Sequence, residues 1–348
     1  MKPAAARRGR VRLTTPEPLM TAFARVAWSL TACAVVTLAS RAGAQTADTM
    51  ATCTPACPAP HQALSDAWWT GPLLAPSAGT LTPGHFLIEP YFYDVRAGQA
   101  NSYGTLTYVL YGLVDGFTIG ASPTAGFNTA GGAPSSSGVG LGDVSAIAQL
   151  RLLRHRPGSW LPATAFNVTE TFPTGRYDRL GARTSDGFGS GVYSTTLSLY
   201  TQSYFWLPNG RILRMRVNVS QGFSSTASVH GVSVYGTDAA FHGTATPGAT
   251  SVADVSWEYS LTRGWALALE FNDRYQAATR VRGAELAASP LIEPSHHDAP
   301  AADAFAIAPA VEYSWTPNIG VLLALRVIPQ GHNTTRSITP AIAINIVR

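Results

Sequence analysis

The sequence predicts an all-β protein, a transmembrane antiparallel up-and-down β-barrel of 12 strands. Three observations predict it: an export leader, long runs in which apolar and polar residues alternate, and connections between those runs that are alternately short and long. Alternation places apolar side chains on one face of a strand and polar side chains on the other. Long strands of this kind, joined by short turns at one end and long loops at the other, are typical of bacterial outer-membrane barrels.

The leader covers residues 1–44. An arginine-rich start is followed by an uncharged apolar run at 26–39 and then by Ala42-Gly43-Ala44. This order of basic, apolar and small residues predicts a secretory signal peptide, and the apolar run is shorter than the roughly 20 residues that a spanning helix needs. Met20 is an alternative start, and the residues before Cys33 also fit a lipoprotein cleavage site.

The charge of the chain belongs mostly to this leader. The whole chain has a net charge of +4, but the residues after Ala44 contain 17 arginines, no lysine and 19 acidic residues. Only 13% of the chain is charged, against about 25% in a typical soluble protein. This composition argues against a nucleic-acid-binding protein and against an ordinary cytosolic enzyme.

Residues 45–83 are rich in Ala, Pro and Thr and predict a periplasmic extension ahead of the barrel, which covers 84–348. Cys53 and Cys57 lie in Cys-Thr-Pro-Ala-Cys, and in an oxidising compartment they predict a disulfide. His61 offers an alternative metal site, but with only two or three ligands. We predict no metal and no cofactor.

The strands are predicted from the parity of the apolar positions, that is, from whether these positions are odd-numbered or even-numbered. Nothing after Ala44 contains 18 consecutive apolar residues, so helical membrane spans are excluded. Along 211–223, Leu213, Met215 and Val217 occupy odd positions, whereas arginines occupy even ones. Twelve such runs are predicted, at 85–95, 103–114, 117–124, 141–153, 160–172, 191–205, 211–223, 249–261, 265–276, 303–315, 319–329 and 334–347.

The connections between the predicted strands indicate how the barrel is oriented in the membrane. Tight turns are predicted at 115–116, 154–159, 206–210, 262–264 and 316–318, and long Gly/Ser/Pro-rich connections at 125–140, 173–190, 224–248 and 277–302. Eight aromatic residues lie beside the short turns and predict a periplasmic girdle: Trp160, Phe205, Trp206, Trp257, Tyr259, Trp265, Tyr313 and Trp315. A secreted β-sandwich is the alternative fold, but it would carry more charge and shorter strands.

Two segments carry a resemblance to a known family. Gly140-Leu-Gly-Asp143 leads to Gln149-Leu-Arg-Leu-Leu153, and Phe172-Pro-Thr-Gly-Arg-Tyr177 closes the next run. The chain resembles, over most of 84–348, the outer-membrane barrels associated with the meta-cleavage pathway of phenol degradation. The resemblance implies passage of small, often aromatic compounds and maps no catalytic residue. One departure is the end, Ile344-Asn-Ile-Val-Arg348, where such barrels usually present an aromatic residue to the assembly machinery.

Charged residues on the inward parity are the candidate site. They are Glu89, Asp143, Arg151, Arg214, Arg216, Asp254, Glu258, Glu270, Arg274, Glu312 and Arg326. One interpretation is a polar lumen whose charges filter a solute, with Arg214 and Arg216 holding an anionic group. The other is that these residues pair with one another and plug a narrow barrel, since open porins use 16 strands or more.

Two loops contain further candidate residues. The connection 173–190 carries five charges and either folds inward as a constriction or faces lipopolysaccharide phosphates. His296-His297-Asp298 resembles a metal-binding cluster, but adjacent loop histidines are usually just exposed.

A lipid hydrolase is the enzymatic alternative. It would use Ser220 or Ser251 with His230 or His242, yet no Gly-x-Ser-x-Gly elbow is present. A structural or adhesive barrel without transport is the third possibility. We predict a passive channel for small, aromatic or hydrophobic solutes, with outer-membrane lipid, lipopolysaccharide and the barrel assembly machinery as partners and no nucleic acid.

Overall fold

The computed structural model describes residues 61–156, 159–286 and 292–348. The predicted signal peptide and the predicted Cys53–Cys57 disulfide lie outside the described residues. None of the helices in the described part is long and apolar enough to cross a membrane.

The described chain is almost entirely strand. The strands are β1 (Phe86–Ala97), β2 (Ala100–Val114), β3 (Phe117–Ser122), β4 (Thr124–Thr129), β5 (Gly140–Leu141), β6 (Val144–Leu153), β7 (Ala163–Phe172), β8 (Ser194–Trp206), β9 (Ile212–Ser224), β10 (Ala227–His230), β11 (Phe241–Thr246), β12 (Thr250–Ser260), β13 (Trp265–Gln276), β14 (Arg280–Leu286), β15 (Ile292–His296), β16 (Ala302–Thr316), β17 (Ile319–Gln330) and β18 (Ser337–Val347). Single 3₁₀ turns occur at Leu64–Asp66 and Thr184–Asp186.

Twelve antiparallel strands close into a barrel, as the sequence predicts. The order around the wall is β1, β2, β3, β6, β7, β8, β9, β12, β13, β16, β17 and β18. β18 then pairs with β1, from Leu87 opposite Val347 to Arg96 opposite Ile338. Closure matters because an open edge in lipid would leave backbone N–H and C=O groups without partners.

Two of the predicted long connections contain a second sheet. β10 and β11 lie between β9 and β12, and β14 and β15 lie between β13 and β16. These four strands pair in the order β10-β11-β14-β15 and form what we call the accessory sheet. The sequence analysis treated 224–248 and 277–302 only as loops, because strands of four to seven residues are too short to establish a clear alternation.

The predicted run 117–124 ends early. Pro123 separates β3 from β4, since proline has no N–H to give to a strand ladder. Both strands pair with β2, but β3 continues onto β6 while β4 pairs with β5. The wall therefore extends past the barrel rim at this point.

The outward face of the wall is apolar and the inward face is more polar, as a membrane environment requires. On β13, Leu267 and Leu269 point outward and are 43% and 39% exposed, whereas Ala266, Ala268 and Glu270 point inward and are buried. Similar outward residues line every side of the barrel. An apolar outer belt around a polar interior is the reverse of a soluble protein and is expected of a barrel in lipid.

Candidate functional site

The chain that precedes β1 lies across the lumen, and both of its ends are at the short-turn end of the barrel. Residues 62–83, which we call the lumen segment, hydrogen-bond to inward side chains from many strands of the wall. The segment begins at the short-turn end, where the side-chain nitrogen of Gln62 donates to Ser260 Oγ at 2.8 Å and Trp206 Nε1 donates to the Gln62 carbonyl at 2.8 Å. It returns to the same end at Gly84, whose N–H donates to the carbonyl of Gly112. These residues belong to the stretch that the sequence predicts as a periplasmic extension.

Two buried carboxylates hold the middle of the lumen segment. Glu312 Oε2 accepts hydrogen bonds from the N–H groups of Thr70 and Gly71, at 2.8 and 3.0 Å. Glu270 Oε2 accepts from the N–H groups of Leu74 and Ala75, at 2.8 and 2.7 Å. Both glutamates have no exposed surface. Each carboxyl group therefore satisfies two N–H groups of main chain that belongs to no strand ladder.

A second cluster combines two arginines with one glutamate. Glu258 lies opposite Arg214 in the β9–β12 ladder, and the guanidinium of Arg214 binds both of its carboxylate oxygens, with Nε 2.6 Å from Oε2. Arg216 Nε is 3.3 Å from the same oxygen, and its Nη1 donates to the carbonyl of Ala75. The Trp69 ring covers Arg214, with the guanidinium carbon 4.4 Å from the ring centre. The cluster therefore both neutralises buried charge and grips the lumen segment.

Two side-chain amides and one arginine complete the attachment. Asn218 Nδ2 donates to the carbonyl of Pro76 at 2.9 Å. Gln149 Nε2 donates to the carbonyls of Ser77 and Gly79 at 3.1 and 2.7 Å. Arg151, at the rim, donates to Thr80 Oγ1 at 3.1 Å and pairs with Asp115 of the β2–β3 turn at 2.8 Å. The segment is thus held by side chains that bind its backbone, and not by a ladder of its own.

Small inward residues make room for it. The inward positions of β16 include Ala306, Ala308 and Ala310, all buried. A Cβ added at Gly112 would overlap the carbonyl oxygen of Thr82, and one at Gly320 would overlap the methyl group of Thr70. A 12-stranded wall with such small residues leaves space at the short-turn end, and main chain occupies it.

Three of the predicted acidic residues lie apart from the lumen segment's anchors. Asp254 Oδ2 accepts from Asn272 at 3.1 Å, and Glu89 Oε1 accepts from Asn345 at 3.0 Å, each inside the wall. Asp143 lies at the start of β6 and binds the 173–193 connection, accepting from the N–H groups of Gly175 and Ser190 at 2.9 and 2.8 Å. The Asp143 carboxylate therefore holds both ends of that connection.

Arg274 and Arg326 differ from the other predicted residues. They share the inward parity but lie in the long-loop half of the barrel, whose inward positions we call the outer vestibule. Arg274 is exposed and Arg326 is half-buried. Neither forms a hydrogen bond or ion pair with another described residue, and the Nε of Arg326 is buried without a partner. On the adjacent strands, Val252 and Ala304 lie opposite Arg274, and Thr339 lies opposite Arg326.

A family model described as "Putative MetA-pathway of phenol degradation" matches residues 79–337, which is well over half of the chain. The chain belongs to this family. No curated protein matches it by sequence.

Solved structures support the fold of this family member. The COG4313 outer membrane channel from Pseudomonas putida F1 is 14% identical over 77% of this chain and 97% of its own, with a TM-score of 0.56. The NanC porin is 11% identical over 74% and 98%, with a TM-score of 0.42. The Pseudomonas putida toluene transporter TodX is 11% identical over 79% and 91%, with a TM-score of 0.33. Only the first likeness is close enough to support the barrel fold, and a closed barrel with an apolar belt spans the bacterial outer membrane.

The serine and histidine candidates are not brought together. Ser220 Oγ donates to Ser198 Oγ at 2.8 Å, and Ser251 Oγ donates to Gln221 at 2.7 Å. The Nδ1 atoms of His230 and His242 are 3.1 Å apart, so one ring donates to the other. Within the described residues, neither serine hydrogen-bonds to a histidine.

Sequence analysis missed the lumen segment, although one signal was present. The inward positions from 304 to 310 are all alanine, whereas a self-filled barrel needs large side chains there. Small inward residues in a 12-stranded barrel indicate that something else fills the space. Parity identified the charged residues but did not indicate that their partners lie ahead of the barrel.

Proposed function

We propose that this protein is a passive outer-membrane channel for small compounds, aromatic or hydrophobic ones among them, and that the lumen segment narrows its pathway. The observation that carries this proposal is the filling of the lumen. The short-turn half is occupied by main chain that side chains hold, while the long-loop half keeps two arginines that have no hydrogen-bond or ion-pair partner among the described residues.

Solute enters the outer vestibule from the long-loop end and passes beside the lumen segment to the short-turn end. Movement is energy-independent, because it follows the concentration gradient. Eight of the eleven predicted charged residues contribute to this route: Glu258, Glu270, Glu312, Arg151, Arg214 and Arg216 brace the segment, and Arg274 with Arg326 meets the solute. Lipopolysaccharide and the barrel assembly machinery are the further partners that we expect.

The protein is proposed to have no enzymatic activity. Support comes from Ser220 and Ser251, whose hydroxyl groups donate to Ser198 and Gln221 and not to a histidine. A nucleophilic serine needs an adjacent base within hydrogen-bond reach.

Single-channel recording in planar bilayers, together with swelling of proteoliposomes in benzyl alcohol and in sugars of increasing size, tests the channel. We expect discrete conductance steps and faster entry of the aromatic alcohol than of disaccharides. A folded barrel, verified by its heat-modifiable gel mobility, that stays silent in both assays would favour the structural alternative. Incubation with radiolabelled phospholipid tests the enzyme, and product lost in Ser220→Ala or Ser251→Ala would overturn our proposal.

A further inference from the structure

Three metal-ligating side chains meet on the accessory sheet, outside the barrel wall. Asp238, Glu285 and His297 each offer one ligand atom, and these atoms all lie within 4.8 Å of one another. Asp238 lies in the turn before β11, Glu285 is on β14 opposite Phe241, and His297 directly follows β15. The cluster therefore joins three separate pieces of chain.

The positions of these side chains are determined by their surroundings. His297 Nε2 is 2.7 Å from Glu285 Oε1, and Ser295 Oγ is 2.7 Å from the same oxygen and 2.9 Å from His297 Nε2. The Phe241 ring meets the imidazole edge-on, at 5.6 Å between centres. Phe241 is itself fully buried in the apolar cluster beneath the sheet. The Ser295 hydroxyl and the Phe241 ring therefore restrict the orientations of His297 and Glu285.

Within the described residues, no arginine forms an ion pair with Asp238 or Glu285. Two carboxylates approach one imidazole, and the Asp238 side chain forms no hydrogen bond or ion pair with another described residue. Arg282, on the same strand as Glu285, is already paired with Asp298. Like charges at this separation repel, so the arrangement favours a cation between them.

We propose that Asp238, Glu285 and His297 bind a divalent transition-metal ion, Zn²⁺ fitting best, with water in the fourth position. One imidazole and two carboxylates are ligands that zinc accepts at about 2.0–2.2 Å, which places the ligand atoms about 3.3–3.6 Å apart. The present spacing is within about 1.5 Å of that range. An imidazole nitrogen disfavours Ca²⁺ and Mg²⁺, which prefer oxygen ligands. The ion would link the turn before β11 to β14 and to the chain after β15.

Zinc binding by the full-length protein in detergent tests this site. After removal of metals by a chelator, Zn²⁺ is titrated at pH 7.5 in competition with a chromophoric chelator, and thermal unfolding is followed in parallel. We expect one strong site per chain and a higher unfolding temperature with Zn²⁺. His297→Gln and Asp238→Asn should each weaken binding by at least tenfold and abolish the thermal shift. Asp238 is exposed, so its variant keeps the fold.

The matched control is the double variant His230→Gln/His242→Gln, which removes the other histidine pair of the accessory sheet and should keep full affinity. Loss of zinc binding only in this control would overturn the proposal. Equal affinities in the wild type and in His297→Gln would overturn it as well. If His297 only hydrogen-bonds to Glu285 and binds no metal, thermal unfolding would show no zinc-dependent shift, and that result would also reject the site.

Discussion

At the scale of single residues, the inward charges divide by what they contact. Arg214 and Arg216 share Glu258 inside the wall, where all three are almost fully buried. Arg274 and Arg326 face the outer vestibule with no partner among the described residues. The first group supports the structure and the second is the group that we propose to meet a solute, although both have the same parity in the sequence.

Replacing Glu258 by Gln is expected to destabilise the barrel. It leaves two buried guanidinium groups without their carboxylate, a change that typically costs about 3–5 kcal/mol. The free energy of unfolding, obtained from urea titration in detergent, measures the effect. Arg263→Gln is the control, since its pair with Asp66 is exposed and such pairs contribute about 0–1 kcal/mol. Equal losses in both variants would contradict the buried cluster's importance.

Replacing Arg274 and Arg326 together by Gln is expected to shift the ion selectivity of the channel toward cations. Removal of two positive charges from the outer vestibule lowers the local concentration of anions. The reversal potential across a tenfold KCl gradient should shift toward cations. Arg154→Gln serves as the control because Arg154 lies at the short-turn rim, paired with Asp115. An unchanged reversal potential in the double variant would show that these arginines do not face the ion path.

At the scale of elements, the accessory sheet is held by local ion pairs as well as by its apolar cluster. Arg282 holds the pKa of Asp298 down to about 2, with help from the N–H of Val281, which donates to the same carboxylate at 2.9 Å. This pair joins β14 to the chain that follows β15. The sheet therefore has an acid-sensitive link at its edge.

Lowering the pH should weaken that link in a narrow window. Because the folded pKa of Asp298 is depressed, its contribution is fully present above the unfolded value of about 3.9. It is lost as the pH falls through about 2. Amide hydrogen exchange at Val281, compared with Asp298→Asn at each pH, measures this. Wild type should be better protected at pH 5, and the two should converge near pH 2. A difference that persists below pH 2 would contradict the assignment.

The lumen segment is the other element whose position depends on a few side chains. Glu270→Gln and Glu312→Gln replace carboxyl groups that accept hydrogen bonds from its backbone by amides, whose NH₂ group cannot accept. We expect the double variant to show more frequent or larger openings in planar bilayers. Glu89→Gln, which bonds to Asn345 and not to the segment, should conduct like the wild type.

At the scale of the whole molecule, the lumen segment lies inside the barrel but is not one of the 12 strands that form its wall. Deletion of residues 70–80 should leave the 12-strand ladder intact, because those residues contribute no strand to it. Conductance is expected to increase severalfold, and the cut-off for sugars in liposome swelling should rise. Heat-modifiable mobility confirms folding. Unchanged conductance in the folded deletion variant would show that the segment does not limit the pathway.

The barrel wall could be predicted from the sequence, whereas the position of the lumen segment inside it could not. Alternation with period two is local, so the inward and outward faces of β9 or β13 can be derived from a dozen consecutive residues. Closure then follows from the need to satisfy edges in lipid. The bonds between Glu312 and Thr70 or between Glu270 and Leu74 join residues about 200 or more positions apart. No local pattern encodes such a pairing.

The sequence alone therefore established an exported, sparsely charged chain that folds as 12 alternating strands with its charges inside. The three-dimensional arrangement established which charges meet, that residues 62–83 cross the lumen, and that two long connections pair into the accessory sheet. The physical reason is the difference in range. Strand faces depend on neighbours along the chain, whereas the contents of a lumen and the meeting of Asp238, Glu285 and His297 depend on closure that brings distant residues together.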